Sequence, residues 1–361
     1  MSHVATSTPA ELSSTAEIDA AWVESVLALS YPGVAVRSVA AAPIGAGNVS
    51  DTVRVAIEYA DRPDGAPDAV VAKFRPSAPE VHAHGLGSGA YHREVGAYRV
   101  IGERAACRIP HAYHVAGDET NINLVLEDLS AAVPGNQIAG CSPAEAEAVI
   151  NELALLHSAF SPMDEATAPA WPIRMADVCD YWTEAVQGGV AAALQRYQTR
   201  LSAENLATIE AAGKLARSFY LLPQSRLTLT HGDARVDNVL FEQRDGGTGA
   251  VLIDWQVTGL RNPMWDVGYF LSGSVSVDDR REHERRLIDG YLRTFATVYP
   301  GYDEEEALAD YRVQLLSGLM TTVAAIAVLP DNDAVNNLIV ALLERNCAAA
   351  VDWASIDAIT G

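Results

Sequence analysis

The stretch His231-Gly232-Asp233-Ala234-Arg235-Val236-Asp237-Asn238, followed by the apolar run Val251-Leu252-Ile253 that ends in Asp254, constrains this chain more than any other part of it. Leu227 to Thr230, Val239 to Glu242 and Ala250 to Ile253 read as short buried strands, and Asp245-Gly246-Gly247 supplies a turn between the last two. The polar loop is therefore pinned at both ends by strands. A carboxylate, Asp233, an amide five residues later, Asn238, and a second carboxylate at a strand end, Asp254, are the groups needed to orient a hydroxyl and hold Mg²⁺ against a nucleoside triphosphate.

The first third of the chain reads as β-rich. Ser14 and Glu17 have capping-box spacing ahead of an amphipathic run through Trp22, Val23, Val26 and Leu27, which predicts an opening helix. Strands are expected over Val34 to Ile44, Thr52 to Tyr59, Asp68 to Phe74, His111 to Ala116 and Asn121 to Glu127, with a helix over Ser88 to Arg104. Between the first two strands lies Ile44-Gly45-Ala46-Gly47-Asn48-Val49-Ser50, where absent β-carbons let backbone N–H groups approach phosphates; Gly47, Asn48 and Ser50 are the candidate contacts. An ordinary hairpin turn is the alternative, and a following strand argues against a dinucleotide fold. Lys73 sits in the strand Ala69 to Phe74, both of whose faces look apolar, so its ammonium needs a polar cleft or a route to water. Glu94 shares a helix face with Tyr91, Tyr98 and Ile101, and a carboxylate on an apolar face calls for a cation, which Lys73 would supply; a solvated glutamate at the helix edge is the alternative. Glu127 and Leu129, where an apolar strand runs into acidic residues, are candidates for backbone contacts to an adenine edge.

Beyond Asp128 the segment Ser130 to Cys141 reads as a connector, and helical patterns then dominate: Pro143 to Phe160, Met175 to Gln187, Ala203 to Tyr220, Asp279 to Val298, Asp303 to Val328 and Asp333 to Ala350. The expected fold class is α+β in two lobes. Residues 1–128 would form a small antiparallel five-stranded lobe with one main helix, and residues 129–361 a large, mainly helical lobe carrying the 231–238 loop and Asp254.

The 361 residues are 49% hydrophobic and 20% charged, which is enough for a sizeable core. A formal net charge of -22 argues against a nucleic-acid surface, which needs clustered Lys and Arg, and leaves room for a cationic small molecule. Cys107, Cys141, Cys179 and Cys347 show no paired spacing, so neither a zinc site nor a disulfide framework is expected. Met1 to Ser13 reads as a frayed tail without the pattern of an export signal, so cytoplasmic residence is expected. The uncharged run Val313 to Pro330 includes Gln314, Ser317, Gly318, Thr321 and Thr322 and falls short of the roughly 20 apolar residues of a membrane span; a buried helix is expected there.

A glycine-rich hairpin, a strand lysine, a helix glutamate, a junction, Asp-x4-Asn and a strand-terminal aspartate occur in that order. Together with Leu229 to Phe241, Ile253-Asp254-Trp255-Gln256 and Asp266-Val267-Gly268-Tyr269-Phe270-Leu271, they make the chain resemble the aminoglycoside phosphotransferase and choline kinase group, which has a bilobal protein-kinase-like fold. In motif it is most similar to the kinase domains of acyl-CoA dehydrogenase 10 and 11 type proteins and to ecdysteroid-kinase-like proteins, over about Ile44 to Phe270. The resemblance implies His231 as a structural part of the catalytic loop, Asp233 as the base, Asn238 and Asp254 as Mg²⁺ ligands, Lys73 as the phosphate lysine and Glu94 as its anchor. The glycine loop matches loosely. Gly232 stands where protein kinases have arginine, and the short stretch from Asp254 to Asp266 leaves no room for a regulated activation loop, so a small-molecule substrate is favoured over a protein.

The expected activity is transfer of the γ-phosphoryl group of ATP, with GTP as the alternative, to the hydroxyl of a small alcohol with Mg²⁺ as cofactor. The resemblance favours a lipid-like or acyl thioester acceptor; an aminoglycoside or choline-like cation is the alternative, and a nucleotide-binding pseudokinase or a drug-binding protein without catalysis are readings of another class. Neither a nucleic-acid partner nor a membrane span is expected, and the oligomeric state is open. His82 and His84, with His92 nearby, read as a mobile loop ahead of the helix, a metal site being the alternative; His157 reads as a satisfied core histidine, and Trp171, Tyr181 and Trp182 as core, with the lining of an acceptor pocket as the alternative.

Overall fold

A computed structural model describes residues 9–45, 49–224, 226–244 and 246–360. The chain divides into two compact units, one of Met1–Arg104, Ile109–Ser130 and Asp254–Gln256, the other of Ala105–Arg108, Ala131–Ile253 and Val257–Gly361.

The first unit is an antiparallel five-stranded sheet with three helices. Strands β1 (Ala35–Pro43), β2 (Asp51–Asp61), β3 (Ala69–Phe74), β4 (Ala112–Gly117) and β5 (Ile122–Glu127) lie in the order β1-β2-β3-β5-β4. In the register Lys73 pairs with Thr52 on one side and Leu124 on the other, so the lysine strand is central. Helix α1 (Ala20–Leu27) starts at Asp19, whose carboxylate accepts the Trp22 N–H at 2.8 Å. Ser14 instead caps a single 3-10 turn, Thr15–Glu17, so the capping-box spacing marks that turn and not the helix itself. The Trp22, Val26 and Leu27 stripe packs with Val53, Val55, Val70 and Phe74 of the sheet into one apolar core. Leu12 is pinned by its backbone to the buried Asn123 side chain, at 2.7 Å through its N–H and 2.9 Å through its carbonyl, so the segment before Ser13 is not a frayed end where it is described.

Where a loop was expected around His82 and His84, the chain forms helix α2 (Pro79–Ser88), opened by Pro79 and closed by Gly89 at φ 68. Helix α3 (Ala90–Arg104) follows at once. Gly85, a poor helix former, occupies a position where an added Cβ would run into the Tyr91 ring and hydroxyl, so close packing of α3 against α2 leaves no room for a side chain.

The second unit is mainly helical. It comprises β6 (Val133–Pro134), α4 (Pro143–Ala159), β7 (Ile173–Arg174), α5 (Met175–Arg196), α6 (Ala203–Tyr220), β8 (Thr228–Thr230), β9 (Val239–Arg244), β10 (Gly247–Leu252), β11 (Gly259–Arg261), α7 (Met264–Ser274), α8 (Val277–Ala296), α9 (Glu304–Gln314), α10 (Leu316–Ile326), α11 (Asp333–Asp352) and α12 (Asp357–Thr360). Its two small sheets have the orders β10-β9-β6 and β7-β11-β8. The expected connector thus contributes the short strand β6. Helix α5 runs past the expected end at Gln187 and through Gly188-Gly189, where Gly189 serves packing: a Cβ there would clash with the Val323 carbonyl of α10. The expected long helix from Asp303 is two helices broken at Leu315, beside which Gly268 of α7 packs so closely that a Cβ would come within 2.7 Å of the Gln314 carbonyl. The uncharged run lies in α10, most of whose residues are buried. Among the described residues no helix is long and apolar enough to cross a membrane.

Candidate active site

In the first unit the polar centre is Lys73. Its strand neighbours Val70, Ala72 and Phe74 fill the core, and its Nζ lies 2.6 Å from Glu94 Oε1 and 3.6 Å from Asp254 Oδ1. Glu94 occupies the buried face of α3 with Tyr91, Tyr98 and Ile101. The side chains are only 12% and 3% exposed, so each charge is tenable there because of the other. Burial alone would lower the Lys73 pKa, but the carboxylates of Glu94 and Asp254 outweigh it and hold the ammonium above its ordinary range.

Asp254 has φ 68, a left-handed conformation that a residue with a β-carbon adopts at a cost on the order of 1–3 kcal/mol and that is found mostly at functional positions. Arg93 of α3 donates to the Gln256 carbonyl and so ties down the segment that follows Asp254. Asp254 Oδ1 is shielded from solvent and has no hydrogen-bond partner among the described residues. Its charged neighbour is the Lys73 ammonium at 3.6 Å, beyond hydrogen-bond reach, and a carboxylate oxygen left without a hydrogen bond in this way fits a further cation ligand.

The remaining candidates of this unit are placed less tellingly. Ser50 is buried after the hairpin, while Gly47 and Asn48 lie outside the described residues. Glu127 uses its carboxylate to accept the His111 N–H at 3.0 Å, which ties it to the start of the edge strand. Leu129 is half-buried just past β5.

In the second unit Asp233 and Asn238 form one cluster. Asn238 Nδ2 donates to both the Asp233 carbonyl, at 2.9 Å, and Asp233 Oδ2, at 3.0 Å. The amide nitrogen being spent in this way, the Asn238 carbonyl oxygen is the atom suited to a metal. Arg235 Nε reaches Asp233 Oδ2 at 3.3 Å, and the Tyr269 hydroxyl donates to Oδ1 at 2.6 Å. Burial first, then the Asp233 charge, pushes Tyr269 well above its ordinary pKa, so it stays a donor.

The loop that carries Asp233 hangs on one buried residue, Asp266 of α7. Its Oδ2 accepts the His231 N–H at 2.6 Å and its Oδ1 the Gly232 N–H at 2.9 Å, while His157 Nε2 donates to Oδ2 at 3.0 Å and Tyr291 closes the chain at His157 Nδ1. His157 is thus the satisfied core histidine that its surroundings suggested. Burial opposes ionisation of Asp266, but His157, His231 and the Gly232 N–H more than compensate and lower its pKa. Gly232 has φ 87, and a Cβ there would sit 2.2 Å from the Val257 carbonyl, which explains a glycine directly before the candidate base. Tyr269 and Arg235 were not singled out by the sequence; the spacing of three from Asp266 to Tyr269, which puts both on one helix face, was the available signal.

Asp233 also lines a cavity of about 190 Å³ whose walls include Trp182, Tyr220, Val257, Arg261 and Trp265. Trp182 belongs to this wall, while Tyr181, expected in the core, is 65% exposed. Arg261 stacks on Trp265 with its guanidinium carbon 4.8 Å from the ring centroid, and its Nη1 donates to Thr230 Oγ1. Among the described residues there is no group of three or more His, Cys, Asp or Glu that could hold a metal; Mg²⁺ bound with a nucleotide needs only one or two protein oxygens beside the phosphates.

A model of the ecdysteroid kinase-like family matches residues 45–299. No curated protein matches the sequence. The fold is shared with a choline kinase from Cryptosporidium parvum Iowa II, at 12% identity, 88% of this chain, 89% of that one and a TM-score of 0.51. It is likewise shared with a microcompartment-associated aminopropanol kinase, at 14% identity over 92% of this chain and 98% of that one with a TM-score of 0.50. A third similar structure is an aminoglycoside 2′-phosphotransferase in complex with GDP, at 13% identity, 91% and 97% coverage and a TM-score of 0.50.

Proposed function

The chain belongs to the ecdysteroid kinase-like family, and from that premise we propose that it transfers the γ-phosphoryl group of ATP to a hydroxyl of a small-molecule alcohol. The observation that carries this reading is the Asp233 carboxylate, held by Tyr269, Asn238 and Arg235 at the wall of a cavity able to admit a small alcohol. In the transfer the acceptor oxygen forms a bond to the γ-phosphorus, the bond from that phosphorus to the bridging oxygen breaks, ADP leaves, and the hydroxyl proton passes to Asp233. Asp254 and the Asn238 carbonyl are the proposed ligands of Mg²⁺, which when bound neutralises phosphate charge. Lys73, kept ammonium by Glu94, is the proposed phosphate contact. Gly47, Asn48 and Ser50 remain proposed phosphate contacts, and Glu127 and Leu129 proposed backbone contacts to the base.

The similar structures include kinases named for choline and aminopropanol, both amines. Among the described residues, the wall beside Asp233 carries the guanidinium of Arg261 and no carboxylate besides Asp233, with Trp182 and Trp265 as its large surfaces. A neutral, largely apolar acceptor is therefore favoured over a cationic one.

The test is turnover with Mg²⁺ and ATP. Asp233→Asn is expected to keep nucleotide binding and lose between about a hundredfold and ten-thousandfold in kcat, and Asp254→Ala to lose productive binding of the metal nucleotide. Near-normal turnover of Asp233→Asn would remove the assigned base.

A further inference from the structure

Helix α3 holds the segment after Asp254 at Gln256, through two adjacent residues. Arg93 Nε donates to the Gln256 carbonyl at 2.5 Å, across 163 residues of sequence. Burial works against the charge of Glu94, and a bond from the Gln256 side chain, after Lys73, works for it. The Arg93 guanidinium also donates through Nη2 to the Ser88 carbonyl at the end of α2, again at 2.5 Å. Room is made for it at Gly89, where φ is 68 and an added Cβ would come within 2.9 Å of Nη1. This is a costly way to fill the space. Arg54, Arg226 and Arg280 each rest on a carboxylate, but no carboxylate among the described residues pairs with Arg93, and burial pulls its pKa down to about 10. What the charge provides is two bonds from an ionised donor, about twice as strong as neutral ones.

Asp254 gives that grip a purpose. Its φ of 68 is a conformation that persists only where the surroundings over-determine it, and Lys73, at 3.6 Å, meets the side chain and not the backbone. Arg93 fixes the backbone two residues further on. Resting on the reading of Asp254 as a Mg²⁺ ligand, we propose that Arg93 is the positioning residue of that ligand: by holding the Gln256 carbonyl it keeps the Asp254 backbone left-handed, so that the carboxylate stands in place before the ion arrives. Groups that orient a metal ligand without touching the metal govern its affinity by about tenfold to a hundredfold. Since the next residue, Glu94, holds Lys73 at 2.6 Å, two successive side chains of α3 place both the phosphate lysine and the metal carboxylate.

The experiment measures by calorimetry the Kd of a non-hydrolysable ATP analogue, in EDTA and in saturating Mg²⁺, for the full-length protein and its Arg93→Met, Arg93→Lys and Asp254→Asn variants. The quantity read is the ratio of the two constants, which is the tightening that Mg²⁺ brings. It is expected to fall about tenfold in Arg93→Met, approaching the value of Asp254→Asn, with the metal-free Kd within about twofold of the unmodified protein. Arg93→Lys keeps the charge and one of the two bonds, so its ratio should lie between. An arginine that only supports the fold would weaken both constants alike or lower only the melting temperature, and either outcome overturns the proposal. If Arg93→Met does not fold, Arg93→Lys decides: a ratio equal to that of the unmodified protein overturns the proposal, and a lower one supports it. A ratio that collapses in Asp254→Asn but not in the Arg93 variants overturns the proposal and leaves Asp254 as the ligand. A ratio that Asp254→Asn does not change removes Asp254 from the metal site and this proposal with it.

Discussion

In the first unit a buried carboxylate, Glu94, is balanced by a cation, Lys73, across one strand and one helix; in the second a buried carboxylate, Asp266, is balanced by donors, two backbone N–H groups and the His157 ring. The ion pair brings together two side chains whose positions follow from strand and helix periodicity. The other arrangement uses a carboxylate to hold a backbone in shape, so that Asp233, carried by the loop that His231 and Gly232 anchor to Asp266, inherits its place from Asp266 and His157. Buried charge is held by charge in the one, and loop geometry by hydrogen bonds in the other.

That contrast can be broken at its strongest point first. Glu94→Leu should strand the Lys73 ammonium among apolar groups and destabilise the protein by about 3 kcal/mol, the low end for breaking a buried pair because Asp254 lies near enough to relieve part of the cost. Lys73→Met with Glu94→Leu should recover most of that stability in thermal unfolding while turnover stays lost. If the double variant is as unstable as the single one, the pair is not what sets the local stability.

Asp266→Asn should cost less, about 2 kcal/mol, because an amide keeps one acceptor but turns its nitrogen towards a donor. Its pH dependence has a definite sign. The folded-state pKa of Asp266 is lowered from an ordinary 3.8, so its stabilisation is fully present above that value and disappears as pH falls through the lower folded value. The stability gap between the unmodified protein and Asp266→Asn, measured by denaturant titration, should therefore stay constant from neutral pH down to about 5 and narrow below 3.8. A gap that narrows already near neutrality would point to another group.

The smallest effect is expected from Tyr269→Phe, which removes one hydrogen bond to a charged group and leaves the ring packed. A loss of about 1.5 kcal/mol, roughly tenfold in kcat, with the nucleotide KM unchanged, would sharpen the view that Tyr269 positions Asp233. A change confined to KM would assign the hydroxyl to binding.

The Lys73 and Glu94 pair was legible because each sits where a polar residue interrupts an apolar face, one at strand period and one at helix period. The loop from His231 to Asn238 was legible from composition, since few folds demand a carboxylate and an amide at that spacing between apolar strands. Helix α7 was legible only by resemblance: its eleven residues are all buried, so no amphipathic pattern marks it. Helix α2 carries Gly85 and Gly87 and α5 carries Gly188 and Gly189, and since a glycine that breaks a helix and one that lets another element approach look alike in a sequence, neither helix is legible over its full length.

By itself, then, the order of residues determined the class of fold, the five strands, the ion pair around Lys73 and which acid and amide are the candidates for the chemistry, all of which rest on short-range spacing and charge. Only the folded chain decided that Asp254 takes a left-handed conformation, that Tyr269 and Arg235 grip Asp233, that Asp266 and His157 carry the loop, and that Trp182, Tyr220 and Trp265 wall a cavity beside Asp233. Those facts depend on contacts between segments far apart in the chain, such as the reach of 109 residues from His157 to Asp266. No local periodicity encodes which buried donor meets which buried acceptor across such a distance; packing settles it, because a polar group removed from water must find its partner wherever the fold brings one.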